Sequence, residues 1–213
     1  MRHLRAIILL FSVFCLPLPA LAGDTAGQMQ RQYEALTSFT AAFVQTLTNA
    51  QTGEKEVRKG AIAFRQPTFI RWETNLPEKQ LLVVGDKAVW DYYPGEKSAY
   101  KYPTADVLSS KTMIRFISGK ARLEQDFYVT EHPVKDDLIE MDLVPKEPEP
   151  GLVTATVWVT PMTHMLYRVL LVDFYGNKND LSLNDLLLNP DLSKSQFEFT
   201  PPAGTKVYDN TKK

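Results

Sequence analysis

The sequence contains little of the chemistry that cysteine supplies. Its 213 residues include a single cysteine, Cys15, within an N-terminal stretch that has the pattern of a cleaved leader. The remaining chain then has no thiol, which excludes a disulfide framework, a thiolate nucleophile and a cysteine-ligated metal. Phe14 precedes Cys15, whereas a bacterial lipid-anchor signal has Gly, Ala or Ser at that position. We therefore do not expect Cys15 to carry a lipid.

Long apolar runs are also scarce. The apolar run at residues 6–16 is too short for a transmembrane helix, which needs about 20 apolar residues. Two arginines precede this run, and Ala20-Leu21-Ala22 follows it as an A-x-A cleavage signature. We expect residues 1–22 to be a signal peptide, and residues 23–213 to form a single exported domain.

The net charge is small, and recognisable catalytic motifs are few. The formal net charge is −1, which argues against a nucleic-acid partner because such a partner needs a basic face. His132 and His164 lie in polar turns without a second histidine at metal-binding spacing. The sequence predicts no metal, no cofactor and no catalytic residue. A hydrolase with dispersed carboxylates stays open as an alternative, because catalytic spacing is set in space rather than along the chain.

The sequence is rich in the alternation that is typical of β-strands. A helix is predicted at residues 25–36, followed by strands at 39–48 and 54–65 around a turn at 49–53. Short strands and turn signals then alternate regularly along the chain. The further predicted strands are 68–74, 80–84, 87–93, 97–102, 126–130, 138–144, 153–160, 165–174 and 180–187, with 196–199 and 205–208 closing the chain.

A second helix is predicted at residues 106–118, with Gly119 as its stop. About ten evenly spaced strands predict one large antiparallel sheet, and a sheet of that size tends to curl. The apolar helices would fill its concave face. The expected fold is mainly β with α (α+β): an incomplete, curled antiparallel β-barrel with a helical lid over an apolar cavity.

Aromatic residues are concentrated in the predicted strands. From the pattern alone, two interpretations are open: packing within the core, and lining of an apolar ligand cavity. The residues concerned are Phe64, Phe69, Trp72, Trp90, Tyr92, Trp158, Tyr167, Phe174 and Phe197.

Several short sequence segments along the chain resemble those of one known family. They read FTAAFVQ at 39–45, GAIAFRQPTFIRW at 60–72, LVVGDKAVW at 82–90, DFYGN at 173–177 and FEFTPPAGTKV at 197–207. In this order and spacing they resemble the LolA family, the periplasmic carriers of outer-membrane lipoproteins. The resemblance covers nearly the whole chain after the leader and is loosest at about 98–150.

The resemblance implies a non-enzymatic, monomeric periplasmic carrier without a cofactor. Such a carrier takes triacylated lipoproteins from an inner-membrane ABC transporter and passes them to an outer-membrane receptor of similar fold. A carrier or sensor of another lipid or glycolipid on the same fold is the alternative. A purely structural envelope protein is a further one, and it would have no lipid-filled cavity.

The resemblance also implies site residues. The expected acyl-chain contacts are Phe39, Phe43, Phe64, Phe69, Trp72, Leu82, Val84, Trp90 and Tyr92, and they include both strand parities because the register is unknown. The expected lid residues are Met113, Ile114, Phe116 and Ile117. Well-known family members have a basic residue just before the proline that corresponds to Pro67. This chain has Gln66 at that position. Gln66, or alternatively Arg65 or Arg71, is therefore expected to bond the carbonyls of the lid.

Overall fold

The computed structural model describes residues 24–105, 112–149 and 151–211. Within these ranges the helices are α1 (Thr25–Ala35), α2 (Thr112–Ile117) and α3 (Leu123–Asp126), with a 3₁₀ turn at Lys194–Phe197. The first six strands are β1 (Ser38–Thr48), β2 (Lys55–Arg65), β3 (Phe69–Leu76), β4 (Gln80–Val84), β5 (Val89–Tyr93) and β6 (Ser98–Tyr102). The others are β7 (Phe127–Glu131), β8 (Ile139–Pro145), β9 (Thr154–Val159), β10 (Leu166–Val172), β11 (Lys178–Leu188) and β12 (Lys206–Asp209).

The twelve strands form one open, curled sheet in the order β12-β6-β5-β4-β3-β2-β1-β11-β10-β9-β8-β7. Strands β1 to β6 make one meander and β7 to β11 a second, and β1 joins them by pairing with β11. All neighbours are antiparallel except β12, which lies parallel to β6. The predicted fold class is confirmed, although the sheet has twelve strands rather than about ten.

Strand β1 shows how the sequence sets the two faces of the sheet. Phe39, Ala41 and Phe43 are buried on one side, which we call the inner face. Thr40 and Ala42 point to the other side, the outer face, because successive side chains of a strand alternate. Asn49 then stabilises the turn to β2 by accepting hydrogen bonds from two backbone N–H groups of that turn.

The helices complete the core on the inner face. Met29 and Tyr33 of α1, together with Ile114 and Phe116 of α2, belong to the same buried cluster as the inward side chains of the strands. The ring of Phe116 lies 5.7 Å from that of Phe127 at the start of β7. Burial of these apolar surfaces, at about 25 cal/mol per Å², holds the helices on the sheet.

The C-terminal segment covers part of the outer face. The ring of Phe197 packs on Phe69 at 5.7 Å, and Phe199 contacts Trp90 and Tyr92 at 5.7 and 5.2 Å. Strand β12 then adds to the sheet beside β6. The first meander is therefore covered on both faces near β3 to β6.

Most predicted elements are confirmed to within about two residues, and β4 has the predicted bounds. Two aromatic positions were wrong: Phe197 lies in the 3₁₀ turn, and Phe174 lies beyond the end of β10 and is 77% exposed. Residues 106–111 of the second predicted helix lie outside the described residues. Its remainder is helical and stops at Gly119, which has a φ of +67° that favours glycine.

No helix among the described residues is long and apolar enough to cross a membrane.

Candidate ligand pocket

A pocket of about 910 Å³ lies between the inner face of the sheet and α2. It is at the end of the sheet where β1 turns into β2 and β10 turns into β11. Its volume is within the range of about 300–1,000 Å³ that is typical of small-ligand sites. The apolar side chains that line it are Leu47, Trp72, Leu82, Met113, Ile114 and Leu171.

The base of the pocket is the ring of Trp72, which packs against Phe43 in the core behind it. The ring of Phe43 meets the Trp72 ring edge-on, with 5.2 Å between centroids. Gly60 lies beside them, and a Cβ at this position would be 2.8 Å from the Phe43 ring and 1.8 Å from the carbonyl oxygen of Glu73. Gly60 is therefore required for both the backbone path and the position of the ring.

The pocket wall also contains polar side chains. Gln45 donates from Nε2 to Oδ1 of Asn179 at 2.8 Å, across β1 and β11. Gln80 donates to Oδ1 of Asp91 at 2.7 Å and to the Tyr93 hydroxyl at 2.9 Å. Burial and the nearby Asp91 carboxylate raise the pKa of Tyr93 to about 12, so its hydroxyl is neutral at physiological pH.

Charges at the rim of the pocket balance one another. Lys55, Arg58 and Lys178 line it together with Glu54, Glu56 and Asp173. Arg58 donates to Glu56 at 2.7 Å, so one pair is already neutralised. The rim therefore does not favour a ligand of one particular charge.

The structure brings some of the predicted cavity and lid residues together. Trp72, Leu82, Met113 and Ile114 line the pocket. The other inner-face predictions are fully buried in the core and do not line it: Phe39, Phe43, Phe64 and Val84. Phe116 and Ile117 of α2 are likewise buried in the core.

Three predicted cavity residues lie on the opposite face of the sheet. Phe69, Trp90 and Tyr92 all contact the C-terminal segment through Phe197 or Phe199. Neighbouring residues of a strand face opposite sides of the sheet. The predicted set included residues from both faces, so its members could not all line one cavity. We exclude these three from the proposed ligand contacts.

Of the three residues expected to bond the lid, Gln66 bonds helix α1 and not the predicted lid helix α2. Its Nε2 donates to the carbonyl oxygen of Tyr33 in α1 at 2.9 Å. Arg71 instead lies on the outer face, where it pairs with Glu73 at 2.5 Å and donates to the carbonyl of Gln196. Arg65 is in neither contact. A neutral amide thus stands where the well-known members have a charged donor.

Sequence reasoning missed the residue that holds α2. Arg115 donates from one nitrogen to both carboxylate oxygens of Glu149 at 2.9 Å, and it lies 3.4 Å from Asp126. The side chains of this group are mostly buried, so the ion pairs are only partly screened. The available signal was a cation between the apolar pairs Met113-Ile114 and Phe116-Ile117.

The hydroxyl of Tyr33 is buried without a hydrogen-bond partner among the described residues. A contact between this hydroxyl and the backbone of Leu166 acts to lower the pKa of Tyr33. Burial, the dominant effect, raises the pKa of Tyr33 well above its ordinary value. Helix α1 therefore docks with one polar group left unsatisfied.

A cluster of metal-ligand types lies away from the pocket, on the outer face. His132, Glu140 and Asp142 have potential ligand atoms within 4.8 Å of one another, although the sequence shows no metal-binding spacing. His132 is hydrogen-bonded to Asp142 at 2.8 Å, and Glu140 accepts from the indole of Trp158 at 2.8 Å. These groups are thus engaged with each other and with the sheet.

Known proteins match this chain in sequence over most of its length. The family model described as "Outer membrane lipoprotein carrier protein LolA" matches residues 34–200. An outer-membrane lipoprotein carrier protein of Nitrosomonas europaea is 28% identical over 200 residues, which is 94% of this chain and 96% of that protein. One from Bordetella pertussis is 26% identical over 207 residues, 97% of each chain.

Solved structures share the fold at low sequence identity. A conserved protein of Thermus thermophilus aligns with a TM-score of 0.58 at 14% identity, over 88% of this chain and 100% of that one. Lipoprotein LppX of Mycobacterium tuberculosis aligns with a TM-score of 0.51 at 14% identity, over 79% and 95%. Since the family model spans most of its length, the chain belongs to the LolA family.

Proposed function

We propose that this chain is a periplasmic carrier that shields the acyl chains of lipoproteins between two membranes. The observation that carries the proposal is the pocket of about 910 Å³, with an apolar base and α2 along one side, in a member of the LolA family. In this proposal residues 1–22 are a cleaved signal peptide, and residues 23–213 form the carrier domain.

The energetics explain why such a pocket suits a carrier. Acyl chains in water cost about 0.8 kcal/mol per CH₂, so three long chains need shielding during transit. Complete dry burial would make release very slow, since non-covalent binding free energies saturate near about −20 kcal/mol. A pocket that shields the chains only in part, with polar as well as apolar residues in its wall, permits both transit and transfer.

The proposed partners are triacylated lipoproteins, an inner-membrane ABC transporter that loads the carrier, and an outer-membrane receptor that unloads it. The carrier acts as a monomer and performs no covalent chemistry, because binding and release of acyl chains need no nucleophile, metal or general base.

Loading of purified protein by transporter proteoliposomes, followed by native mass spectrometry, tests the proposal. We expect a one-to-one complex with a triacylated lipoprotein that is lost when the acyl chains of the cargo are removed. A bound small lipid, with no lipoprotein accepted, would instead favour a carrier of another lipid on the same fold.

A matched pair of variants locates the site. Met113→Gln places an amide in the pocket wall and should reduce loading several-fold, because the acyl chain loses an apolar contact. Met162→Gln makes the same change at a position that is 94% exposed, and should load normally. Equal loading by both variants would contradict the assignment of the pocket.

A further inference from the structure

Four strands of the inner face carry a polar residue in the wall of the pocket, and on β1 the apolar Leu47 follows that residue toward the mouth. On each strand the inward residue next to the apolar base, on the side of the mouth, is polar. We call these residues the collar: Gln45 on β1, Thr74 on β3, Gln80 on β4 and Asn179 on β11. Their apolar neighbours, each two positions deeper, are Phe43, Trp72, Leu82 and Leu181.

The collar is not explained by folding alone. Gln45 and Thr74 are only 7% and 6% exposed, and burial of polar groups on a core face costs free energy that a leucine or valine would not. Gln80 has a structural role, since it holds Asp91 and Tyr93. Gln45 and Asn179 bond each other, and Thr74 offers its hydroxyl to no other described side chain or backbone group.

The collar keeps several hydrogen-bond donors available to a ligand. Among the described residues, Gln45 keeps one amide N–H after the bond between them, and Asn179 keeps both of its own. The Thr74 hydroxyl adds a rotatable O–H. These donors are uncharged, and Arg58, which lines the pocket opposite Gln45 on β2, is already paired with Glu56.

Uncharged donors beside an apolar base match the head of an acylated anchor. Ester and amide carbonyls accept hydrogen bonds and donate none from their oxygen, whereas a free carboxylate favours a cation. We propose that the collar binds the ester and amide carbonyls that attach acyl chains to the cargo, while the chains lie on the apolar base. The inference rests on the proposed function and names the chemical group that the pocket selects.

The chemistry predicts a preference that apolar contact alone cannot produce. Hydrocarbon contacts are non-directional and do not distinguish an ester linkage from an ether linkage. A carrier with a working collar discriminates, because an ether analogue leaves buried amide and hydroxyl donors unpaired.

Competitive binding of two probes tests the collar. One probe is a triacylated cysteinyl peptide, and the other is the same peptide with ether in place of its ester linkages. We expect the protein from residue 23 onward to bind the ester probe about tenfold more tightly, as two hydrogen bonds of ordinary strength would give. The double variant Gln45→Leu/Asn179→Leu should lose most of this preference, apart from the share that Thr74 supplies, and keep its affinity for the ether probe.

The control is Thr46→Val/Ser182→Ala, which changes neighbouring residues on the outer face of the same two strands. It should keep the tenfold preference. If the double leucine variant does not fold, Thr74→Val removes one collar donor at nearly constant volume, and it should reduce the preference about threefold.

The outcomes separate the two proposals. Equal binding of both probes by the unmodified protein would overturn the collar and leave the carrier function standing. Equal loss of affinity for both probes in the leucine variant would likewise overturn it, because the residues would then support the pocket as a whole. Binding of neither probe by the unmodified protein would overturn the proposed function and the collar with it.

Discussion

The two ends of the inner face are packed by different means. At the end next to α1 the face is filled by buried side chains. Phe39 and Phe64 are in ring contact there at 5.3 Å, and both are fully buried. At the other end, beside α2, the face opens into the pocket. A neutral amide, Gln66, holds α1, whereas an ion pair between Arg115 and Glu149 holds α2. The contrast assigns stability to the closed end and ligand binding to the open end.

The largest expected effect is the loss of a ring at the closed end. Phe64→Ala leaves a cavity among fully buried side chains and should lower the free energy of unfolding by about 3–5 kcal/mol. Phe174→Ala is the matched control, since its side chain is largely exposed, and it should change stability by less than about 0.5 kcal/mol. Urea unfolding measures both. Similar values for the two variants would show that the closed end does not carry the stability.

The second effect concerns the ion pair at the open end. Arg115→Met leaves the partly buried Glu149 carboxylate without its cation, and should cost about 2 kcal/mol. Hydrogen exchange at residues 112–117 should accelerate, and loading of cargo should change with it. Arg58→Met, which breaks a more exposed pair with Glu56, should cost less than about 1 kcal/mol. Unchanged hydrogen exchange in α2 after Arg115→Met would show that the ion pair does not hold this helix in place.

The third effect tests the amide that holds α1. Gln66→Ala removes one neutral hydrogen bond to the Tyr33 carbonyl, and should cost about 1 kcal/mol. Gln66→Arg offers a charge-assisted donor, which should slow hydrogen exchange in α1 below that of the unmodified protein. If both variants exchange like the unmodified protein, the bond does not control the docking of α1.

The smallest effect comes from the unpaired hydroxyl. Tyr33→Phe removes a buried polar group without a partner, and should raise stability by up to about 1 kcal/mol at pH 7. The folded state raises the pKa of Tyr33, so above about pH 10 the unfolded chain loses a proton that the folded chain retains. Stability should therefore fall as the pH rises through this range, by up to about 1.4 kcal/mol per pH unit.

Urea midpoints of both proteins between pH 7 and pH 11 measure this difference. The decline in alkali should be less steep in Tyr33→Phe than in the unmodified protein. Parallel curves would show that the hydroxyl ionises as readily in the folded state as in the unfolded one.

The elements of the sheet could be read from the sequence because the strands alternate clearly or lie between strong turn signals. Strand β4 had the predicted bounds, since its apolar run is bordered by polar residues on one side and Gly85 on the other. Phe197 and Phe199 imitate a strand by alternating, yet Phe197 packs from a 3₁₀ turn. An alternation of apolar and polar residues alone cannot distinguish a strand from a short irregular segment that packs across the face of a sheet.

The site was less predictable, because the first meander is covered on both faces. Phe69 and Trp90 are packed beneath the C-terminal segment, so they have the same apolar character as residues of the inner face. Only the register, which joins Ile62 to Trp72 and Trp72 to Leu82, reveals the side that faces the pocket. The collar residues gave no sequence signal, since polar residues near the end of a strand are common.

The pairing of β1 with β11 has a consequence for the order in which the chain folds. Phe43 pairs with Leu183, about 140 residues later, and the barrel-like core cannot form without this contact. Such distant contacts are slow to form, because the entropy cost of closing the long loop comes before the favourable free energy of the contact. A chain that becomes available from its amino end therefore presents β1 long before β11. The topology delays completion of the sheet until nearly all of the chain is available to fold.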